Sequence, residues 1–177
     1  MPAIDQAMVQ AFIDAGANAA DTTTKGRALE DLICYVFGQV PGIAITLRNQ
    51  KNVFDTEEVD VGFFNDRVAD GFPFFPDIII VEAKNWSNRV GSKDVGWFDR
   101  KLEDRGLSFG ILVTTFGITG NGDSLNAAHS IVASALKAQR RLIVITTAEL
   151  QALTDTDQLV KLIKMKLCYL ALRMGIA

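Results

Sequence analysis

Asp77-Ile78-Ile79-Ile80-Val81-Glu82-Ala83-Lys84, "DIIIVEAK", is the stretch on which the fold turns. Four consecutive branched apolar residues, set off by Pro76 and Asp77, read as a strand covered on both faces rather than as one face of a helix. At its exit the pattern changes abruptly to an acid, a small residue and a base. Core-filling does not ask for that. Residues two apart on a strand point to the same face, roughly 6.5 to 7 Å from one another, so Glu82 and Lys84 converge on one small volume.

Two strand-like segments precede it, "IAITLRN" (Ile43 to Asn49) and "EEVDVGFF" (Glu57 to Phe64), separated by polar or Gly/Pro-rich stretches. With 77–84 they make an antiparallel meander. Downstream, "GSKDVGWFDRKLEDRG" predicts a helix, "LSFGILVTTFG" a buried strand, "DSLNAAHSIVASALKAQR" a helix capped by Asp123 or Ser124, and "RLIVITT" a second buried strand. Strand, helix, strand implies a right-handed parallel crossover. Upstream, Ile4, Met8, Phe12 and Ile13 space a short leading helix. A threonine run then caps "KGRALEDLICYVFGQV", whose Leu29, Leu32, Ile33, Val36 and Phe37 form one stripe ending at Gly38. A last helix over about 155–174 carries Leu159, Leu162, Ile163, Leu167, Leu170 and Met174, more apolar surface than one helix needs. It buries that face in a homodimer or on its own domain. The expectation is an α/β protein, a three-layer α/β/α sandwich around a central mixed sheet.

The chain has 177 residues, 49% hydrophobic and 22% charged, which suits one domain over 1–177 with a real core. A formal charge of −3 argues against coating nucleic acid by positive charge alone, so any such contact is local. Cys34 and Cys168 lie in apolar helical patterns without metal-ligand spacing and read as buried thiols. No leader pattern and no apolar run of about 20 residues is present, which predicts a soluble, cytoplasmic protein with no membrane partner.

Asp60, flanked by Val59 and Val61, is a carboxylate that is costly to bury unless a metal or cation compensates it. From the adjacent strand it can face the volume shared by Glu82 and Lys84. Two carboxylates and a backbone carbonyl, that of Ala83, make a partial shell for Mg²⁺, with Mn²⁺ as a substitute, while a nearby ammonium positions or helps deprotonate a water. Phosphodiester hydrolysis needs those parts.

An Asp in one strand followed by Glu-x-Lys at the end of the next resembles the PD-(D/E)xK nuclease superfamily, and "VEAKNWSNRVGSKDV" resembles the Mrr-like restriction endonucleases. "KGRALEDLI", with Glu30, is similar to the superfamily's leading helix, and "ILVTTFGIT" and "RLIVITTAEL" to its later strands. The resemblance spans about 25–150. It implies a restriction-endonuclease-like fold, metal binding by Asp60 and Glu82, and assistance to the nucleophilic water by Lys84. Glu82 stands where many Mrr-like members carry Gln, which moves the chain toward the general superfamily pattern.

Each residue also has a plainer reading. Asp60, Glu82 and Lys84 could form a structural ion pair at a sheet edge; their order along the fold favours catalysis. Glu30 reads either as an acid behind the metal ligands, or a ligand of a second metal, or as a helix-surface acid near Lys25 and Arg27. Asn85 and Trp86 could touch nucleic acid, although a Trp there is as often a lid on the core. The charges from Lys84 to Arg105 carry a slight positive surplus that a solvated helix face would also show. "GITGNGDS" lacks the ending of a P-loop and reads as an ordinary loop, and the single His129 as structural. Asp77 follows a proline as in "PD", yet it precedes Glu82 by five residues, roughly 16 Å along an extended strand and on the opposite face. It reads as a turn residue.

The sequence therefore predicts a Mg²⁺-dependent endonuclease acting on DNA, in restriction or repair, with specificity from a partner protein since no target-recognition domain is visible. The alternatives are a Holliday-junction resolvase-like nuclease and a nuclease-fold module that binds nucleic acid or a partner without cutting.

Overall fold

The computed structural model describes residues 2–85, 87–120 and 127–173. A five-stranded mixed sheet runs in chain order from β1 (Ile43–Lys51) through β2 (Glu58–Asn65), β3 (Ile78–Lys84) and β4 (Phe109–Thr114) to β5 (Arg141–Thr146). The first three strands pair antiparallel, and β3-β4 and β4-β5 pair parallel. Helix α3 (Ser92–Asp104) makes the crossover from β3 to β4, and α4 (Ala127–Lys137) that from β4 to β5. The α/β architecture read from the sequence is the one observed.

Helix α2 (Thr22–Gly38) packs its apolar stripe on the antiparallel half, where Phe37 stacks on Phe63 of β2 with ring centroids 5.4 Å apart. On the other face α3 approaches β4 closely. A Cβ at Gly110 would stand 2.8 Å from both Leu102 and Phe98 of α3, so glycine sets this contact. Every residue of β4 is buried, as a parallel strand covered on both sides requires. Helix α1 (Gln6–Ala17) lies on α2, and α6 (Thr156–Arg173) on β5. No helix among the described residues is long and apolar enough to cross a membrane.

Three expectations are corrected and one alternative is narrowed. Asp21, not the threonine run, caps α2, its carboxylate accepting from the Thr24 N–H at 2.8 Å. A short helix α5 (Thr147–Gln151) follows β5, closed by a capping box in which Thr146 and Glu149 bond each other's backbone N–H. Of the two covers expected for the apolar face of α6, the chain itself supplies one: Leu159, Ile163 and Leu170 are buried within it. Cys168 is exposed rather than buried, and Cys34 is half-buried, where desolvation raises its thiol pKa. His129 is buried on α4. Trp86, Met174, the proposed caps Asp123 and Ser124, and the end of "GITGNGDS" lie outside the described residues.

Candidate active site

The exit of β3 delivers Glu82 and Lys84 to the same side, as the two-residue period requires, and their side chains meet at 2.8 Å. Glu82 is only 3% exposed. Its second oxygen is held 2.6 Å from the ammonium of Lys101, a buried lysine from the last turn of α3. Lys101 also donates to the Glu58 carbonyl at the start of β2, at 2.7 Å. One buried carboxylate is thus clamped by two ammonium groups from different elements. Charges taken out of water need this degree of pairing to be tolerated.

Asp60 reaches the site through the β2-β3 register, in which Val61 pairs with Val81 and one further step sets Asp60 across from Glu82. Its Oδ2 accepts from the Ala83 N–H at 2.7 Å. Burial, with the negative charge of Glu82 second, raises its pKa from 3.8 to about 6, against the pull of the Ala83 hydrogen bond and the lysines. A carboxylate perturbed by burial and a like charge inside a cleft is a functional-site signature. Burial works against the Lys84 ammonium, but the charge and hydrogen bond of Glu82 outweigh it and hold its pKa above the ordinary lysine value. The Lys84–Glu82 pair thus favours the charged form of this lysine.

Asp60, Ala83 and Lys84 line a cleft of about 310 Å³ beneath the first turns of α2, and Glu30 lines its far wall. Glu30 is not the solvated acid of one reading, since it is buried and its partners come from β1, Arg48 Nε at 3.2 Å and Asn49 Nδ2 at 2.7 Å. Asp77 stands apart at the opposite end of β3. It pairs with Arg67 at 2.5 Å, and its carbonyl accepts from the Asn65 N–H.

The donor set suits a hard divalent cation in chemistry, because Asp60 and Glu82 add negative charge to each other in a confined space. Among the described residues no group of three or more His, Cys, Asp or Glu is arranged to hold a metal. An ion here would depend on two carboxylates, a backbone carbonyl and water, the sparse protein ligation that Mg²⁺ accepts.

Lys101 is the residue that sequence reasoning missed. In the sequence it is one of the charges from Lys84 to Arg105 whose slight positive surplus a solvated face would also show, but it lies in the interior. The neighbouring charges are spent as well, Arg105 on Glu57 at 2.5 Å and Asp99 on Arg140 at 2.7 Å. One local signal was available: Val95, Phe98 and Leu102 mark the buried stripe of α3, and Lys101 sits beside Phe98 and Leu102 on the helical wheel.

No curated protein matches the chain. Among solved structures it is similar to the DNA modification-dependent restriction endonuclease AspBHI, with 15% identity and a TM-score of 0.41 over 92% of this chain. The chain spans 40% of the length of that protein. The family model described as restriction endonuclease, of the Mrr catalytic type, matches residues 23–154, about three quarters of the sequence. This chain belongs to the Mrr-type restriction endonuclease family.

Proposed function

We propose that the protein is a divalent-metal-dependent endonuclease that hydrolyses DNA phosphodiester bonds, in restriction of foreign DNA or in repair. The observation that carries the reading is the meeting of Asp60 and Lys84 at one cleft, with the buried Glu82 ion-paired to Lys84 and the Asp60 carboxyl lifted to about 6. Asp60, Glu82 and the Ala83 carbonyl would hold Mg²⁺, or Mn²⁺ in its place. When bound, such an ion polarises the scissile phosphate and lowers the pKa of a water.

The chain's own residues do the rest. Lys101 anchors one oxygen of Glu82, so that the carboxylate cannot swing away as substrate enters. Lys84 keeps its proton and offers positive charge to a water and to the charge that develops on the phosphate oxygens. Glu30 fixes Arg48 beside the cleft, which places a cation where a phosphate backbone would pass. Cutting both strands takes two such sites, so the reading extends to two copies acting on one duplex. It also carries a cytoplasmic setting and a partner protein that supplies sequence choice.

One observation favours a second reading. Both Glu82 oxygens already hold ammonium groups, as suits a nuclease-fold module that binds nucleic acid without cutting. Incubation with plasmid, linear, single-stranded and four-way-junction DNA, each with Mg²⁺, Mn²⁺ or EDTA, separates the cases. Cleavage only with metal supports the nuclease, preference for the junction a resolvase-like enzyme, and binding without cleavage the inert module.

A further inference from the structure

A second cavity of about 310 Å³ opens at the carboxyl ends of the three parallel strands. Lys84, Thr114 and Thr146 are in register as the last residues of β3, β4 and β5, so the next residues, Asn85, Thr115 and Thr147, form a row of polar side chains along the rim. Open α/β sheets bind their ligands in the crevice outside this end of the strands. The row is tied together. Thr115 Oγ1 donates to Asn85 Oδ1 at 2.9 Å, and Asn85 Nδ2 donates to the Lys25 carbonyl at 2.9 Å. Gly16 of α1 lets Asn85 lie this close, since a Cβ there would stand 2.7 Å from Nδ2. Each hydrogen bond uses part of what the amide offers, leaving a second donor hydrogen and a second lone pair in a fixed orientation.

The opposite wall is apolar. Phe12 and Ile13 of α1 and Leu29 of α2 contribute to it, and Phe116, which follows β4, is 54% exposed at the same cavity. An apolar cavity with oriented amide and hydroxyl groups along its rim is the complement of a heteroaromatic ring. The volume lies near the low end of the roughly 300–1,000 Å³ usual for ligand pockets, room for one such ring.

The two cavities share their walls. Ala83 and Lys84 face the cleft and Asn85 the pocket; on α2, Gly26 and Arg27 face the cleft while Lys25 and Ala28 face the pocket. We propose that this pocket takes a nucleobase, turned out of the strand whose phosphate lies at the Asp60–Lys84 cleft, with Phe116 as stacking platform and Asn85 as the group that reads its edge. The inference rests on the nuclease reading and deepens it: a base held here would fix the register of the strand on the site. Drawing a base from a duplex is least costly at a mismatch, so mispaired positions would enter most readily.

The test uses the full chain in EDTA, titrated with synthetic duplexes carrying 2-aminopurine at successive positions, paired or mismatched. Binding is followed by anisotropy and unstacking by 2-aminopurine fluorescence. Fluorescence should rise at one position, more for the mismatch. Phe116→Ala should cut the rise at least about five-fold, the lower end of what an aromatic platform contributes, and Phe116→Tyr should restore it. Ala17→Trp, which fills the pocket from an exposed position on α1, should abolish it while anisotropy still reports bound DNA. Thermal melts of each variant show that it is folded. DNA that binds, and is cut once Mg²⁺ is added, while every position stays dark would overturn the pocket and leave the nuclease reading standing. A rise unaffected by Phe116→Ala and Ala17→Trp would overturn it too. A response to free 2-aminopurine riboside but not to the duplex would overturn the strand as the source. A chain that neither binds nor cuts DNA would remove both readings together.

Discussion

Asp60 carries the least comfortable charge in the site, and its discomfort has measurable consequences. Its pKa of about 6 lies above the ordinary 3.8, with burial the leading cause and Glu82 the next. A carboxyl whose folded pKa is raised contributes stability in full below its unfolded pKa and loses it as pH rises through the folded value. In metal-free buffer, Asp60→Asn should therefore raise Tm at pH 8, with the gain gone by pH 4. A Tm that falls at pH 8 would contradict the burial argument. For activity, Asp60→Ala should abolish cleavage in a folded protein, whereas Asp77→Ala should keep most of it, because Asp77 is committed to Arg67 at the far end of β3. The reverse pattern would mean that the site has been assigned to the wrong aspartate. Lys101→Met leaves Glu82 buried with Lys84 alone; breaking a buried pair typically costs about 3 kcal/mol or more, which a denaturant melt would register. Asp60, Glu82 and Lys84 were legible because each interrupts a strand pattern with a charge. Lys101 and the partners of Glu30 were not, because their reasons for being buried lie on other elements, β3 for one and β1 for the other.

At the scale of elements, α3 joins the core to the chemistry. Its apolar side, Phe98 and Leu102, seats on Gly110 of β4, and Lys101, next to Leu102 in sequence, is carried into reach of Glu82 by that close approach. Gly110→Ala should lift α3 slightly, costing about 1–3 kcal/mol as overpacking does, and should reduce cleavage by more than the lost stability explains, since Lys101 retreats with the helix. Equal cleavage by the folded variant and the parent would dissociate α3 from the site. The strands and crossovers were readable because their periods and turn residues are local. Helix α5 escaped notice although "TTAE", Thr146 to Glu149, spells a capping box; a helix of one turn has too little periodicity to draw attention to its cap. The destination of α6 could not be read at all, because an apolar face looks the same whether its cover is β5 or another molecule.

For the whole molecule, the nuclease reading has to account for how a chain with one such site would cut a two-stranded substrate. Much of the apolar face of α6 is already covered by the chain itself, with Leu159, Ile163 and Leu170 buried. The large apolar side chains left exposed on the antiparallel half of the sheet, Ile45, Leu47, Phe64 and Ile78, are each 44 to 50% exposed, so each keeps only part of its surface in water, as apolar residues on monomeric surfaces commonly do. The expectation is a monomer by light scattering at tens of micromolar without DNA, and two copies meeting only on the duplex. A net charge of −3 reinforces this, as like-charged chains gain little from meeting until a polyanion and its counterions lie between them. On supercoiled plasmid with Mg²⁺, nicked circles should then accumulate before linear product. The linear form should rise more steeply than in proportion to protein concentration, because it requires a second arrival. With Asp60→Ala protein added in excess to a fixed amount of parent, nicking should persist while linear product falls, since mixed pairs hold one competent site. Linear product that appears without a nicked precursor, or a dimer already present without DNA, would show that the second copy is bound in advance.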